Sequence, residues 1–175
     1  MNKVFEVVEA CKIFKFNKKK YRIMIHPQSY VHSIIRFKNG LIKMILYNTD
    51  MKIPISNTLY GKKNYVSNIK KIDTKILNKM SFQNVNTKHF PSVKLITRCL
   101  NSGLLAPTIV NASNEILVNL FLAKKIEFLD IVKTINKIFK DKDFKKYATR
   151  NSASIKEIKM TDNWARLKTL AMCVR

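Results

Sequence analysis

Glycine is scarce in this 175-residue chain: only Gly40, Gly61 and Gly103 occur, and each stands alone. A dinucleotide-binding turn or a phosphate loop needs clustered glycines so that the backbone can approach a phosphate, so the sequence carries neither. It also lacks a Gly-x-Ser-x-Gly elbow and a His-Glu-x-x-His pair, the usual marks of a serine hydrolase or a zinc protease. The three cysteines, Cys11, Cys99 and Cys173, are odd in number and far apart. That excludes a disulfide framework and any CxxC site, and they read as small buried hydrophobes. No apolar run approaches the ~20 residues that cross a bilayer, and Leu41 to Tyr47 is broken by Lys43. The amino terminus lacks the apolar core of a secretory signal, and Glu6 and Glu9 argue against a transit peptide. These absences predict a soluble intracellular protein with no membrane partner.

Acidic residues are scarce as well. Eleven Asp and Glu face 34 Lys and Arg, for a formal charge of +23. Such an excess favours salt-sensitive binding to nucleic acid. It is also what AT-biased codon usage does at exposed positions, and Lys greatly outnumbers Arg while Asn, Ile, Phe and Tyr are plentiful. The lysines are scattered, with short runs at Lys18–Lys20 and Lys145–Lys146. Both readings stand on composition.

What is present is an ordered set of elements. Val4, Val7, Val8, Cys11 and Phe14 recur at helical spacing and predict an amphipathic helix over residues 2–15. Tyr21 to Ile25 reads as a short strand. Tyr30 to Phe37 and Leu41 to Tyr47 flank Asn39-Gly40, a strong hairpin signal. Residues 56–91 read as irregular and basic, with a short helix at 72–80. A helix from Ser92 to Asn101 ends at Gly103. Pro107 opens a longer helix, another covers 129–139, and Asp162-Asn163 is placed to cap a last one. The fold class is therefore α+β: a helix and a small antiparallel sheet, followed by a carboxyl-terminal α-helical bundle of antiparallel helices.

Few residues are candidates for chemistry. Asn2, Lys3 and Glu6 fall on one side of a helix start. There, free backbone N–H groups and the dipole favour an anion, above all a phosphate, and an ammonium and an amide would complete the pocket. Glu6 would suit a hard cation such as Mg²⁺ or Mn²⁺ if further oxygen ligands joined it. The ordinary alternative is a frayed terminus with a solvated Lys–Glu pair. His26 and His32 lie in I-H-P-Q-S-Y-V-H-S, where each is a site candidate or a structural histidine. Met51 is a core filler or part of a site wall. Asn111, Asn114 and Glu115 are polar residues within an apolar helix and read as hydrogen-bonding between bundle and sheet, and His89 is assigned no role.

Taken in order, these segments resemble the 1-deoxy-D-xylulose 5-phosphate reductoisomerase family. The resemblance runs from Met1-Asn2-Lys3 with Glu6 and Glu9-Ala10, through I-H-P-Q-S-Y-V-H-S, the Asn-Gly turn and D-M-K-I-P-I at 50–55. It continues in F-P-S-V-K-L at 90–95, A-P-T-I-V-N-A-S-N-E-I at 106–116, F-L-D-I at 128–131 and D-N-W-A-R at 162–166. It implies that Asn2 and Lys3 bind the substrate phosphate and that Glu6 binds both substrate and a divalent metal, Mg²⁺ or Mn²⁺. It implies that His32 lies close to the reaction and that Met51 belongs to the wall beside the nicotinamide. One departure stands at Val4, where the family usually has Gly.

The resemblance further implies residues 1–85 as the last part of a catalytic domain and 86–175 as the helical bundle domain. The NADPH-binding domain and the other metal carboxylates belong to sequence that would precede Met1. The implied parent is an NADPH-dependent oxidoreductase of the non-mevalonate isoprenoid route, a homodimer with no specific nucleic-acid or membrane partner. The expected location is a bacterial cytoplasm, with a plastid-like organelle as the alternative. The isolated chain is expected to be inactive, whether as a fragment, a decayed or split gene product, or a subunit completed by another polypeptide. A basic RNA-binding or ribosomal accessory protein remains the competing class.

Overall fold

The computed structural model describes residues 1–61 and 73–173. They form two compact units, one of residues 1–22 with 86–175 and one of residues 23–85. The architecture is α+β, as the patterning predicts. The units do not follow a single cut at 85/86, because the first helix, α1 (Asn2–Phe14), joins the helices at the other end of the chain. The reason is its apolar face. Val4 and Val8 are buried, and α1 packs against a 3-10 turn at Pro91–Lys94 and the helix that follows it, α3 (Leu95–Asn101).

The other unit holds the strands. β2 (Val31–Arg36) and β3 (Ile42–Leu46) make the hairpin around Asn39-Gly40. β1 (Met24–Ile25) does not join it; it pairs antiparallel with β4 (Gln83–Asn84) instead. Side-chain bonds hold that distant pairing. His26 Nδ1 donates to the Ser81 carbonyl (2.9 Å), and Gln28 Nε2 donates to the Lys79 carbonyl (2.9 Å). Between the hairpin and β4, α2 (Lys52–Tyr60) appears where the sequence reading has no helix. Asp50 Oδ1 accepts from Lys52 N–H (2.9 Å) at its start, and Pro54 falls in the first turn, where its missing N–H costs nothing. The expected short helix at 72–80 is a 3-10 turn at Thr74–Lys79; residues 62–72 of that irregular stretch, and so the start of the expected helix, lie outside the described residues.

The helical unit is organised about α4 (Ala106–Leu122), whose Ile109, Val110, Ser113 and Leu117 are fully buried at helical spacing. α5 (Phe128–Ile138) buries Ile131, Ile135 and Ile138. A short α6 (Phe144–Ala148) follows, which the pattern does not show, and then α7 (Ile155–Cys173). Two expectations need correction here. Asp162-Asn163 is not a cap: α7 begins seven residues earlier, with Ser154 Oγ accepting from Glu157 N–H (3.4 Å). Asp162 lies mid-helix and accepts from Arg166 Nε (2.7 Å), and Arg166 also reaches Glu115 on α4 (2.6 Å). Nor are all the helices antiparallel. Thr108 and Asn111 face Lys159 and Asp162 as Glu115 faces Arg166, so α4 and α7 run parallel, with α5 and α6 as the crossover.

Gly103 marks the tightest joint. Its φ of +124° is a glycine conformation, and an added Cβ would stand 2.3 Å from the Ala148 carbonyl oxygen. The same oxygen accepts from Leu105 N–H (2.9 Å), so it has no room to retreat. Gly103→Ala is expected to cost about 2–4 kcal/mol of stability, from backbone strain and overpacking together, read as a fall in the urea midpoint. A second expectation concerns acid. Asp141, nearly buried, accepts from Lys168 Nζ of α7 (2.8 Å) and from Asp143 N–H (3.0 Å). Burial opposes its charge, but these bonds outweigh burial and hold the carboxyl below its ordinary value. With the folded pKa depressed, its contribution is complete above the unfolded value of about 3.9 and is lost as pH falls through the folded one. Asp141→Asn is therefore expected to lower the thermal midpoint at pH 7 and to narrow the gap from the parent below about pH 4.

Candidate active site

The start of α1 brings three of the sequence candidates together, Asn2 and Lys3 in its first turn and Glu6 one turn in. Asn2, Lys3 and Glu6 are all exposed, while Val4 between them is turned inward with 1% of its surface accessible. Valine at this position thus fills the interior and leaves the exposed side of the turn clear. Lys3 Nζ donates to Glu6 Oε2 (2.5 Å), both side chains being more than half accessible. No side chain caps this helix end, and Val4 N–H turns back to the Met1 carbonyl (2.7 Å), which leaves the Asn2 and Lys3 N–H groups and the dipole to meet an anion. The turn is anchored from its buried side. At the other end of α1 the Tyr21 hydroxyl donates to the Ala10 carbonyl (3.0 Å), an anchor that spacing alone does not reveal.

An open groove of about 860 Å³ runs along α1, α4 and α7, lined in part by Phe5, Val8, Glu9, Asn111 and Asp162. Asn2, Lys3 and Glu6 do not line it, so the sequence candidates form an exposed corner and not a closed pocket. Among the described residues no three His, Cys, Asp or Glu side chains gather where they could hold a metal ion. Mg²⁺ takes six oxygens in near-ideal octahedral geometry. Glu6 alone, already tied to Lys3, does not fit it.

His32 and Met51 belong to the strand unit. Met51 stands at the start of α2 and is two-thirds exposed, so it does not fill the core of that unit. His32 is the extra residue of a β-bulge: Val31 pairs with Leu46 and Ser33 with Ile45, leaving His32 unpaired in the ladder. Bulges re-aim a side chain. Here the ring lies on Tyr47, with centroids 3.7 Å apart and planes 11° off parallel, and Nε2 donates to the Tyr47 carbonyl (3.1 Å). Tyr47 is a residue the sequence reading passes over, because regular hairpin register from the Asn-Gly turn gives no sign of the bulge.

The comparisons with known proteins bear on the whole chain. The model of the DXP reductoisomerase C-terminal domain family matches residues 46–168. The chain belongs to the DXP reductoisomerase family. A 1-deoxy-D-xylulose 5-phosphate reductoisomerase of Pelagibacter ubique is 40% identical over 99% of this chain and 45% of its own length. A reductoisomerase of Zymomonas mobilis, solved in complex with NADPH, superposes with a TM-score of 0.87 at 33% identity, over 99% of this chain and 45% of that one. Another, solved with NADPH, fosmidomycin and magnesium, gives a TM-score of 0.92 at 28% identity over 98% of this chain and 43% of that one. The chain thus spans less than half the length of the reductoisomerases it matches. No helix among the described residues is long and apolar enough to cross a membrane.

The two sides of α1 are expected to respond differently to substitution. Val4→Ala is expected to destabilise by about 1–3 kcal/mol, as a buried truncation that leaves a cavity. Asn2→Ala and Lys3→Met are expected to shift stability by less than about 0.5 kcal/mol, as exposed changes do. Chemical denaturation of the three variants checks this.

Proposed function

We propose that this chain supplies the carboxyl-terminal part of a 1-deoxy-D-xylulose 5-phosphate reductoisomerase, which rearranges its substrate and reduces it to 2-C-methyl-D-erythritol 4-phosphate in the non-mevalonate isoprenoid route. One observation carries the reading. Asn2 and Lys3, in the exposed first turn of α1, lie beside Glu6 one turn in, in a chain that matches reductoisomerases over nearly all its length.

In this reading Lys3 and the Asn2 amide bind the substrate phosphate together with the free N–H groups of the turn, a charge-assisted arrangement at the positive end of a helix. Glu6, with further carboxylates from the amino-terminal part of the enzyme, would help to hold Mg²⁺ or Mn²⁺, which would supply Lewis-acid polarisation of the substrate. For His32 and Met51 the resemblance implies a place near the reaction and in the wall beside the nicotinamide, respectively. NADPH, bound outside this chain, supplies the hydride. The isolated chain therefore does not turn over. The complete enzyme is a homodimer of a bacterial cytoplasm and recognises no specific nucleic acid. The exposed Ile34, Ile35, Phe37, Leu41, Ile42 and Met44 of the hairpin support further protein over that unit.

A chimera tests the reading: the amino-terminal part of the Pelagibacter ubique relative joined to residues 1–175, assayed by NADPH oxidation with Mg²⁺ and the ketose phosphate. Activity is expected from the chimera and none from the 175-residue chain. Lys3→Met in the chimera is expected to reduce kcat/KM by about 10- to 100-fold, the value of a charge-assisted hydrogen bond. An inactive chimera of native fold, or turnover by the chain alone, contradicts the reading.

A further inference from the structure

The densest charge in the chain lies outside the corner of Asn2, Lys3 and Glu6 and has no part in the reading above. Residues 12–22 hold Lys12, Lys15, Lys18, Lys19, Lys20 and Arg22, and no acidic residue occurs between Glu9 and Asp50. All six are exposed except Lys18, which is partly buried. Among the described residues none of the six pairs with a carboxylate, whereas Lys3, Lys133, Arg150, Arg166 and Lys168 all do.

The backbone gathers these charges instead of spreading them. α1 ends at Lys15, whose φ of 54° is left-handed and turns the chain back. Asn17 Oδ1 then accepts from Lys19 N–H (3.0 Å) and caps a 3-10 turn at Lys18–Lys20. The Tyr21 hydroxyl, bonded to the Ala10 carbonyl, ties the far side of that turn to α1. Lys12 of the helix and Lys18 of the turn thereby line one open recess of about 290 Å³, together with Phe16. The Phe16 ring is 55% exposed, and Lys20 Nζ lies 4.9 Å from its centroid.

The helix dipole accounts for Lys12 and Lys15, since cations are favourable at a helix carboxyl end. It does not account for three consecutive lysines held in a fixed turn, whose mutual repulsion opposes the fold. A polyanion relieves that repulsion. Close-set cations around an exposed aromatic ring are the means by which proteins hold single strands, with phosphates on the charges and a base on the ring. Lysine, a point charge without a bidentate fork, suits a surface that neutralises phosphates and does not read bases. A lipid surface fits less well. Insertion needs a continuous apolar helix face, and that of α1 is buried through Val4 and Val8. The exposed Ile13 and Phe14 are adjacent on the helix, so they project about 100° apart and do not enter a bilayer together.

We propose that the surface of residues 12–22 docks single-stranded nucleic acid, with its cations on the phosphates and Phe16 stacked on a base, and without regard to sequence. The six cations and the ring all belong to the unit that contains α1. Nothing in this second role rests on the reductoisomerase reading.

Fluorescence anisotropy of a labelled oligouridine, titrated with the 175-residue chain at several salt concentrations, provides the test. Two triple variants remove the same charge: Lys18→Gln/Lys19→Gln/Lys20→Gln in the turn, and Lys125→Gln/Lys145→Gln/Lys156→Gln at scattered exposed positions. The turn variant is expected to bind about tenfold or more weakly and to flatten the slope of log K against log salt by about 2, at ~0.7 per phosphate contact. The scattered variant is expected to stay within about threefold of the parent, its charges being distant and screened. Phe16→Ala is expected to lose about fivefold or more with its slope unchanged, as the loss of a stacked base requires. Circular dichroism checks that each variant keeps the parent fold. Equal losses from the two triples, undiminished binding by Phe16→Ala, or binding to phosphatidylserine vesicles with none to oligouridine overturns the proposal. An inactive chimera bears on the reductoisomerase reading alone.

Discussion

How closely neighbouring backbones can approach α4 governs the helical unit. The residues at its contacts are small: Ala106 and Ala112 on α4 itself, Ala148 at the end of α6 and Ala165 on α7, all fully buried in one cluster with Ile109, Ile138 and Phe144. Interiors pack at crystal-like density, so one extra methylene at such a contact is felt throughout. Gly103 extends the same constraint into the turn before α4, where not even a methyl group fits. The site depends on this at one remove. The exposed turn of α1 has little of its own to hold it, since a solvated Lys–Glu pair at i, i+3 contributes only about 0.2–0.5 kcal/mol. Its position comes from Val4 and Val8, buried within the same unit.

Much of this was legible in the sequence, and the failures are physical. Asn39-Gly40 announced the hairpin because few dipeptides tolerate that turn. The spacing of Val4, Val8 and Cys11 announced α1. α2 was hidden by Ile53, Pro54 and Ile55, which look unhelical until Pro54 is seen to lie in the first turn. The start of α7 was in plain view as Ser154-x-x-Glu157, a capping pattern. The sequence reading passes over it for Asp162-Asn163, whose acid pairs with Arg166 one turn later. The parallel run of α4 and α7 and the pairing of β1 with β4 are tertiary facts, with no local signature to read.

The site was legible unevenly. The helical spacing of Asn2, Lys3 and Glu6 suggested an anion corner, but residues alone gave no reason to prefer it over a solvated end. Only the ordered resemblance along the chain did. His32 stands out in the sequence as a candidate and its ring partner Tyr47 does not, because a bulge breaks the two-residue alternation on which strand reading depends. The net charge of +23, prominent in composition, has little to do with the corner, where Lys3 is the one basic side chain among the candidates.

The seating of α1 has a further consequence, in the order of assembly. Its packing partners, α3 and the Pro91–Lys94 turn, are separated from it along the chain by the whole strand unit. Contacts so distant in sequence form slowly, because a long loop must close before burial rewards it. While the protein is being made, Asn2, Lys3 and Glu6 exist as chain long before they exist as a corner. The corner of Asn2, Lys3 and Glu6 is thus among the last features to mature, and it waits on helices that contribute no side chain to it.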